Sequence, residues 1–519
     1  VAGAVAFAVA AGGLGALHAA DGPHYSLSHR AAVRAALASP AVRDDLRRYG
    51  PYTGTRVVPL DDRLQRVTFY DGAQLVLDAA VGPGGAIRAV SPHAAGDPAL
   101  GGTAANGLPA LIVLSLVLVL ATAVAPLRRL RNLDAAALAS LALPIWLLDR
   151  RLADASVLAL SVPLLYLGAR MLQVGFGSHP APAGRAQPLF DRLAAGWSRA
   201  RRRRALAVAV GAMAALAAGA TLASDGAGDV ALASMNGATL LLHGTLPYGH
   251  MSPDLVHGDT YPLLAYVAHV PAALALPVHD AFDDLSGALW VAAAATVVTA
   301  AGLAAAVRHA GGDGRRAALA WLAFPPAFVA ASAGTSDLLL AAALAAALAA
   351  ARRPARSGAG LALACWVKLV PLAVLPVWLA RLRGADLRRA LIALAAVSAA
   401  ALAAVLALGG PGGLPAMARA LAFQFSRGSL LGPWQLLGAP GLQVAFQAAT
   451  IALVVAAAVA VRRDRRLAAD PVRLAALTGA VLIGVALGAN YLSFAYLAWL
   501  FPPVAVALLG GRAYAGSPG

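Results

Sequence analysis

Long apolar runs interrupted by short arginine clusters set the pattern of this chain. A run of about 20 apolar residues matches the hydrocarbon thickness of a bilayer. Such runs fall near residues 107–125, 133–148, 155–174, 205–223, 286–307, 317–333, 337–351, 390–408, 443–461, 472–489 and 496–510. The opening stretch 1–20, VAGAVAFAVAAGGLGALHAA, resembles a signal core without a basic start and is read as a first span. The pattern therefore predicts an all-α polytopic membrane protein of about 12 transmembrane helices.

The arginine clusters orient these spans, because cytoplasmic loops carry the excess of basic residues. RRLR at 128–131, RARRRR at 199–204, RRPAR at 352–356 and RRDRR at 462–466 are thereby expected inside. The stretch 224–285 has neither Arg nor Lys, yet holds seven of the 24 Asp and five of the 11 His, so it is expected to be an outer loop. Its apolar piece YPLLAYVAHVPAALALP at 261–277 cannot cross without putting RHAGGDGRR at 308–316 on the wrong side. It is expected to lie along the outer interface. Residues 409–442, rich in Gly and Pro at their start, are expected to be a second outer loop.

The run 358–380 breaks the rule of one crossing per apolar run. Arg352, Arg353 and Arg356 precede it and Arg381, Arg383, Arg388 and Arg389 follow it, which assigns both ends to the cytoplasm. Pro371 and Pro376 interrupt its helical ladder. A re-entrant pair of half-helices follows, with Lys368 at the turn, on the floor of an internal cavity. Irregular backbone at membrane depth is tolerated only when buried in protein or lining a wet space.

Residues 21–105 form the one long polar stretch. SHRAAVRAALASPAVRDDLRRYG has helical character, and LQRVTFYDGAQLVLDAAVGPGGAIRAV alternates and turns as strands do. A small extracytoplasmic α+β domain is predicted there. It faintly resembles PepSY-type domains, carries no catalytic constellation, and reads as a spacer or interaction module. Residues 106–204 are then accessory spans with a basic cytoplasmic linker, and 205–519 the main membrane module.

Composition sharpens the picture in two ways. The 41 basic residues comprise 40 Arg and one Lys, and the 24 acidic residues are all Asp. Together with heavy Ala usage, this points to a high-GC bacterial genome and a bacterial plasma membrane. The net charge of +17 does not imply nucleic acid, because the arginines sit at the ends of apolar runs. Cys365 is the only cysteine, so no disulfide forms within one chain.

Several stretches carry a family resemblance. An Asp soon after the 205–223 span, then NGATLLLHGTLPYG at 236–249 and TYPLLAYVAHVP at 260–271, resembles the first outer loop of GT-C glycosyltransferases, particularly glycosyltransferase family 87. FPPAFVAASAGTSDLLLAAALAAAL at 324–348, GLALACWVKLVPLAVLPVWL at 360–379 and SFAYLAWLFP at 493–502 are similar to the same family. The resemblance spans residues 205–510. It implies a GT-C-like fold and transfer of a hexose, with mannose the expectation, from a polyprenyl-phosphate sugar donor to a lipid- or glycan-linked acceptor outside the cytoplasm. Family members often follow the Asp with an aromatic residue, whereas Asp229 is followed by Val230, Ala231 and Leu232. That leaves Asp225 as a competing candidate.

The chemistry needs a carboxylate to take the acceptor proton and a cation or donors to steady the leaving phosphate. Asp229 is the candidate base; the alternative is a cap for the helix that follows. Lys368 is a candidate for the donor phosphate, since intramembrane cations are costly and usually functional. Its alternative is snorkelling to the cytoplasmic side. In ARALAFQFSRGSLLGPW, Arg419 and Arg427 run against the charge bias. Arg427 beside Gln424, Ser426 and Ser429 suits a phosphate or sugar clamp, and Trp434 can stack on a pyranose. An interfacial arginine among headgroups is the alternative.

Asn236, Tyr248, Tyr261 and Asn490 are candidates to shape the sugar pocket, and Asp337 in GTSD either bonds sugar hydroxyls or caps a helix. HMSPDLVHGD offers His250, Asp254, His257 and Asp259, as a metal set of no recognised spacing or as substrate and loop contacts. No cofactor and no metal are expected. No glycine-rich nucleotide loop stands where it would function. The competing class is a transporter or flippase of an anionic lipid-linked substrate, built on the same buried lysine and broken helices. A sensor acting through 21–105 is a third.

Overall fold

The computed structural model describes residues 27–49, 51–59, 65–71, 74–92, 107–125, 130–150, 152–177, 187–224, 227–252, 255, 257–279, 283–426, 432–490 and 492–511. The stretch 1–20 lies outside them.

Near the amino terminus, helices α1 (His29–Ala38) and α2 (Pro40–Tyr49) pack on an antiparallel meander of β1 (Gly54–Pro59), β2 (Gln65–Asp71), β3 (Gln74–Val81) and β4 (Ile87–Pro92). Ser28 starts α1 by accepting the Ala31 amide at 3.3 Å. Alternation puts Val67, Phe69, Leu77, Ala79 and Val81 on one face of the sheet, where Ala32, Ala36 and Val42 of the helices cover them.

Among the described residues beyond 107, the regular elements are helical apart from one two-residue ladder. In order come α3 (Leu108–Thr122), α4 (Leu130–Ser140), α5 (Ala142–Asp149), α6 (Ala153–Phe176), α7 (Leu189–Leu193), α8 (Arg199–Leu222), α9 (Asp229–Leu242), α10 (Leu263–Val267), α11 (Val270–Ala273) and α12 (Ser286–His309). There follow α13 (Gly314–Leu322), α14 (Pro325–Ser332), α15 (Asp337–Ala349), α16 (Pro354–Val367), α17 (Leu375–Ala380) and α18 (Gly384–Ser426). The last are α19 (Pro433–Leu436), α20 (Pro440–Arg463), α21 (Arg465–Ala469), α22 (Pro471–Gly488) and α23 (Tyr496–Leu509).

Seven helical segments among the described residues are long and apolar enough to cross a membrane: 130–149, 154–176, 199–222, 286–309, 384–425, 440–463 and 471–488. The protein is thus a polytopic helical membrane protein. Exposed Val162, Val208, Val298, Ile392 and Val444 give these helices the apolar outer surface that lipid requires. Segment α22 is central, with 83% of its apolar window buried. Its glycines admit close neighbours: a Cβ at Gly484 would lie 2.9 Å from Thr450, and one at Gly479 3.4 Å from Met171.

Two expectations are corrected. The run 317–333 is not one helix but α13 and α14, broken at Ala323 and Phe324 because Pro325 and Pro326 cannot donate to the preceding turn. Residues 409–426 are not loop. Helix α18 bends at Gly410 (φ 55°, ψ −151°), a conformation open essentially to glycine alone, and Pro411 begins the next helical stretch. The bend folds the chain back, so that a Cβ at Gly413 would lie 2.7 Å from the Val405 carbonyl.

The accessory helices share the main core. Leu111, Leu118, Leu164 and Met171 join Trp321, Trp499 and Phe501 in one buried cluster. Polar ties add to this: Arg170 holds buried Asp134 through Nε at 3.0 Å, and Arg316 of α13 meets Asp191 of α7 at 2.7 Å.

Helix α16 is wedged between α15 and α18 through glycines. A Cβ at Gly358 would run into the Ala390 carbonyl, and one at Gly360 would lie 3.2 Å from Ala347. It ends at Val367. Lys368 is extended (φ −149°, ψ 150°), and a short 3-10 turn at Val370–Val374 leads into α17. The chain then returns to its start, for Arg381 Nη2 donates to Ser357 Oγ at 3.1 Å.

Candidate functional site

The bundle has two chemically distinct ends. At one, Arg352 donates to the His309 carbonyl, Arg383 to that of Arg462, and Arg462 to that of Leu382. At the other, Ser224 Oγ donates to the Ser332 carbonyl and the Gly228 amide to that of Ala333, which fastens the start of α9 to the turn before α15. That turn passes through Gly334 (φ 64°), where a Cβ would lie 3.0 Å from Ala231.

Asp337 opens α15 directly after this turn and is 2% exposed. Its Oδ1 accepts Lys368 Nζ at 2.6 Å and Trp499 Nε1 at 2.8 Å. The ammonium lies 4.7 Å from the Tyr496 ring centre and 5.7 Å from that of Tyr261. Each ring presents a quadrupole that attracts the cation. The 13 residues of α15 span about 20 Å. Lys368 therefore lies far from the basic end, and the snorkelling alternative is overturned: its charge is satisfied by Asp337 instead. Asp337 in turn is more than a helix cap.

Asp229 is exposed in the first turn of α9, and its Oδ1 accepts the Val230 amide at 2.8 Å. It thus supports the helix start while remaining open to a ligand. It shares the end of the bundle that holds Lys368 and Asp337.

A layer of loops and short helices covers that end. Asn236 is buried; its amide donates to the Val278 and His279 carbonyls at 3.1 Å each and accepts the Ser252 amide at 3.2 Å. Tyr248 donates to the Tyr261 carbonyl at 3.2 Å. Burial holds its hydroxyl well above the ordinary tyrosine range, with the Asp259 charge adding to the effect. Asp259 accepts the Gly249 amide at 2.9 Å. His257, at φ 56°, stacks on Phe423 with centroids 3.7 Å apart, and Gln424 donates to the Thr260 carbonyl at 3.1 Å. The second half of α18 is thereby strapped across the loop that carries Tyr261. Buried His269 has its pKa lowered to about 4 by desolvation, while Nδ1 sits 2.8 Å from the Ala265 carbonyl.

Opposite, Gln443 Nε2 donates to Asn490 Oδ1 at 2.8 Å, and Asn490 Nδ2 donates to the Phe425 carbonyl at 2.9 Å. Trp434 donates to the Leu487 carbonyl at 2.6 Å, and its ring lies 5.3 Å from Phe446. Asn236, Tyr248, Gln424, Trp434 and Asn490, singled out for a sugar pocket, all spend polar atoms here on holding the layer together. Asp225, Asp254, Arg427 and Ser429 lie outside the described residues. Among the described residues, no group of three or more His, Cys or Asp is arranged to hold a metal ion.

Sequence reading missed Trp499, Tyr496 and Gln443. Tyr496 and Trp499 stand one helical turn apart in SFAYLAWLFP, a spacing that aims both at one neighbour. Gln443 is a polar residue within an apolar run, the same signal that marked Lys368. No known protein family, characterised protein or solved structure matches this chain.

Proposed function

We propose that this protein is a membrane glycosyltransferase that moves a hexose, mannose in the first instance, from a polyprenyl-phosphate sugar to a lipid- or glycan-linked acceptor at the outer leaflet of a bacterial plasma membrane. What supports the reading is that an exposed carboxylate at a helix start, Asp229, and a buried ammonium walled by tyrosines, Lys368, both belong to the end of the bundle away from the arginine clusters. In this scheme Asp229 accepts the proton of the acceptor hydroxyl as its oxygen attacks the anomeric carbon. The bond from that carbon to the phosphate oxygen breaks, and the phosphate leaves toward Lys368. Neutralising charge as it develops in a dry site lowers the barrier of such a reaction more than any other single effect open to the protein. A β-linked donor would give inversion.

The test is transfer of radiolabelled mannose from polyprenyl-phosphate mannose to a crude lipid acceptor by the purified protein in nanodiscs. Label in the acceptor fraction supports the reading. Absence of transfer from every polyprenyl-phosphate hexose removes it. One observation favours a second reading, a transporter of an anionic lipid-linked substrate: helices are interrupted at Phe324 and at Lys368, and discontinuous helices build transport sites. Movement of labelled lipid between leaflets without bond cleavage would favour it.

A further inference from the structure

Holding a helix break in place does not require charge. Trp366 and Leu369, on either side of Lys368, already pack with Tyr261, Met417 and Leu421 in an apolar cluster. A buried ion pair adds little to that, because desolvating both partners consumes most of their attraction, and well-packed apolar residues often serve as well. The arrangement of donors is also uneven. Lys368 keeps the faces of Tyr496 and Tyr261 whatever anion it meets. Asp337 keeps Trp499 Nε1 on the same oxygen if the ammonium leaves it. One residue earlier, Ser336 has a buried hydroxyl without a hydrogen-bond partner, an unused donor beside a carboxylate. Each half of the pair thus keeps a neutral partner when the other is drawn away.

We infer that Asp337 is a resident stand-in for the phosphate of a lipid-linked substrate: the site rests closed on its own carboxylate, and a phosphate ester takes that carboxylate's place at Lys368 Nζ. The inference rests on the phosphate-binding part of the function proposed above and adds an internal competitor to it. Exchange of one anion for another leaves the ammonium neutralised throughout, while the displaced carboxylate keeps the Trp499 indole N–H and bears the cost of losing its cation. The competitor weakens apparent affinity in proportion to the fraction of sites it occupies. Weakly binding anions are thereby kept out, and only a ligand with a second source of affinity, such as a long apolar chain, displaces it.

Lys368 is the only lysine, which makes a direct measurement possible on the unaltered protein. Protein labelled with isotopic lysine and placed in nanodiscs of neutral lipid gives one side-chain Nζ resonance. Titration with polyprenyl phosphate is expected to displace that resonance saturably, and uncharged polyprenol to leave it in place. In Asp337→Asn the resonance starts displaced, and the polyprenyl phosphate midpoint falls by roughly 10-fold or more. If that variant does not fold, the wild-type titration decides alone. No displacement at saturating lipid phosphate, or a variant midpoint equal to or above wild type, overturns the inference. Equal displacement by inorganic phosphate overturns the lipid-linked assignment. Displacement without sugar transfer keeps this inference and removes the transferase, whereas transfer without displacement does the reverse.

Discussion

Arg381 Nη2 donates to Ser357 Oγ at 3.1 Å, across 24 residues of chain whose midpoint region holds Lys368. A helix of 14 residues rises about 21 Å, so α16 climbs well away from the basic end before Lys368 turns it. The return through the 3-10 turn and α17 is what brings Arg381 back beside Ser357. Arginines on both flanks of the run, each unfavourable to move across a bilayer, match a chain that enters and leaves by one face.

That geometry predicts the labelling pattern of single cysteines in a background where Cys365 is replaced by Ala. Arg356→Cys and Arg383→Cys, both at exposed positions, are expected to react with a membrane-impermeant thiol reagent from the same side of sealed vesicles. His243→Cys, exposed beside α9, is expected to react from the other side. Opposite-side reaction of residues 356 and 383 would show that the segment crosses.

The Lys368 and Asp337 pair makes a stability prediction independent of any substrate. Lys368→Met strands a buried carboxylate and is expected to cost about 3–5 kcal/mol, the range for removing one partner of a buried pair. The double variant Lys368→Met, Asp337→Leu is expected to recover most of that loss, because no charge is then left unpaired. Denaturant titration in detergent of the two single variants and the double gives the coupling directly. Additive losses would mean that the two side chains do not depend on each other.

Much of this was readable from residue order, and the failures have physical causes. Helix length and arginine placement act locally, so the spans at 205–223, 286–307, 443–461 and 472–489 coincide with helices. The break at Lys368 was signalled by two prolines and by basic residues on both sides. In contrast, GGPGGLP at 409–415 carries turn residues, yet only Gly410 takes a positive φ there, and Pro411 restarts the helix. Punctuation of that kind marks a bend as readily as a loop. The partner of Lys368 was hidden for another reason. Asp337 and Trp499 are 31 and 131 positions away, and no periodicity relates them to a lysine in a different element. Asp337 was noticed as a polar residue at a helix start, which is where its local role ends and its tertiary role begins.

Asp229 separates a catalytic from a structural role in one substitution. Asn ranks with Asp at helix starts, so Asp229→Asn is expected to leave stability within a few tenths of a kcal/mol of wild type. An amide cannot accept the acceptor proton, and loss of a general base typically lowers rate by roughly 10²–10⁴-fold. Sugar transfer and thermal melting, measured on one preparation, check the two statements together. Full transfer by a stably folded variant would move the role to another acid, with Asp225 the first to test.

His269 predicts how the covering layer responds to acid. Its ring is 1% exposed, and burial holds its pKa near 4 against an ordinary value of about 6.5. Between those values the unfolded chain binds a proton that the folded chain refuses. Stability is therefore complete above pH about 6.5 and declines as pH falls toward 4, by on the order of 3 kcal/mol at most. His269→Gln removes the titrating group and is expected to flatten this part of the profile, even if it lowers the melting temperature at neutral pH. Melting followed from pH 7.5 down to about 5 in detergent, comparing the difference between wild type and variant at each pH, isolates the histidine from the carboxylates. That difference should shrink steadily with acid, because only wild type loses the contribution. A constant difference over the range would mean that His269 binds its proton alike in the folded and unfolded chain, because water reaches a ring which the packing of α10 and α11 otherwise keeps dry.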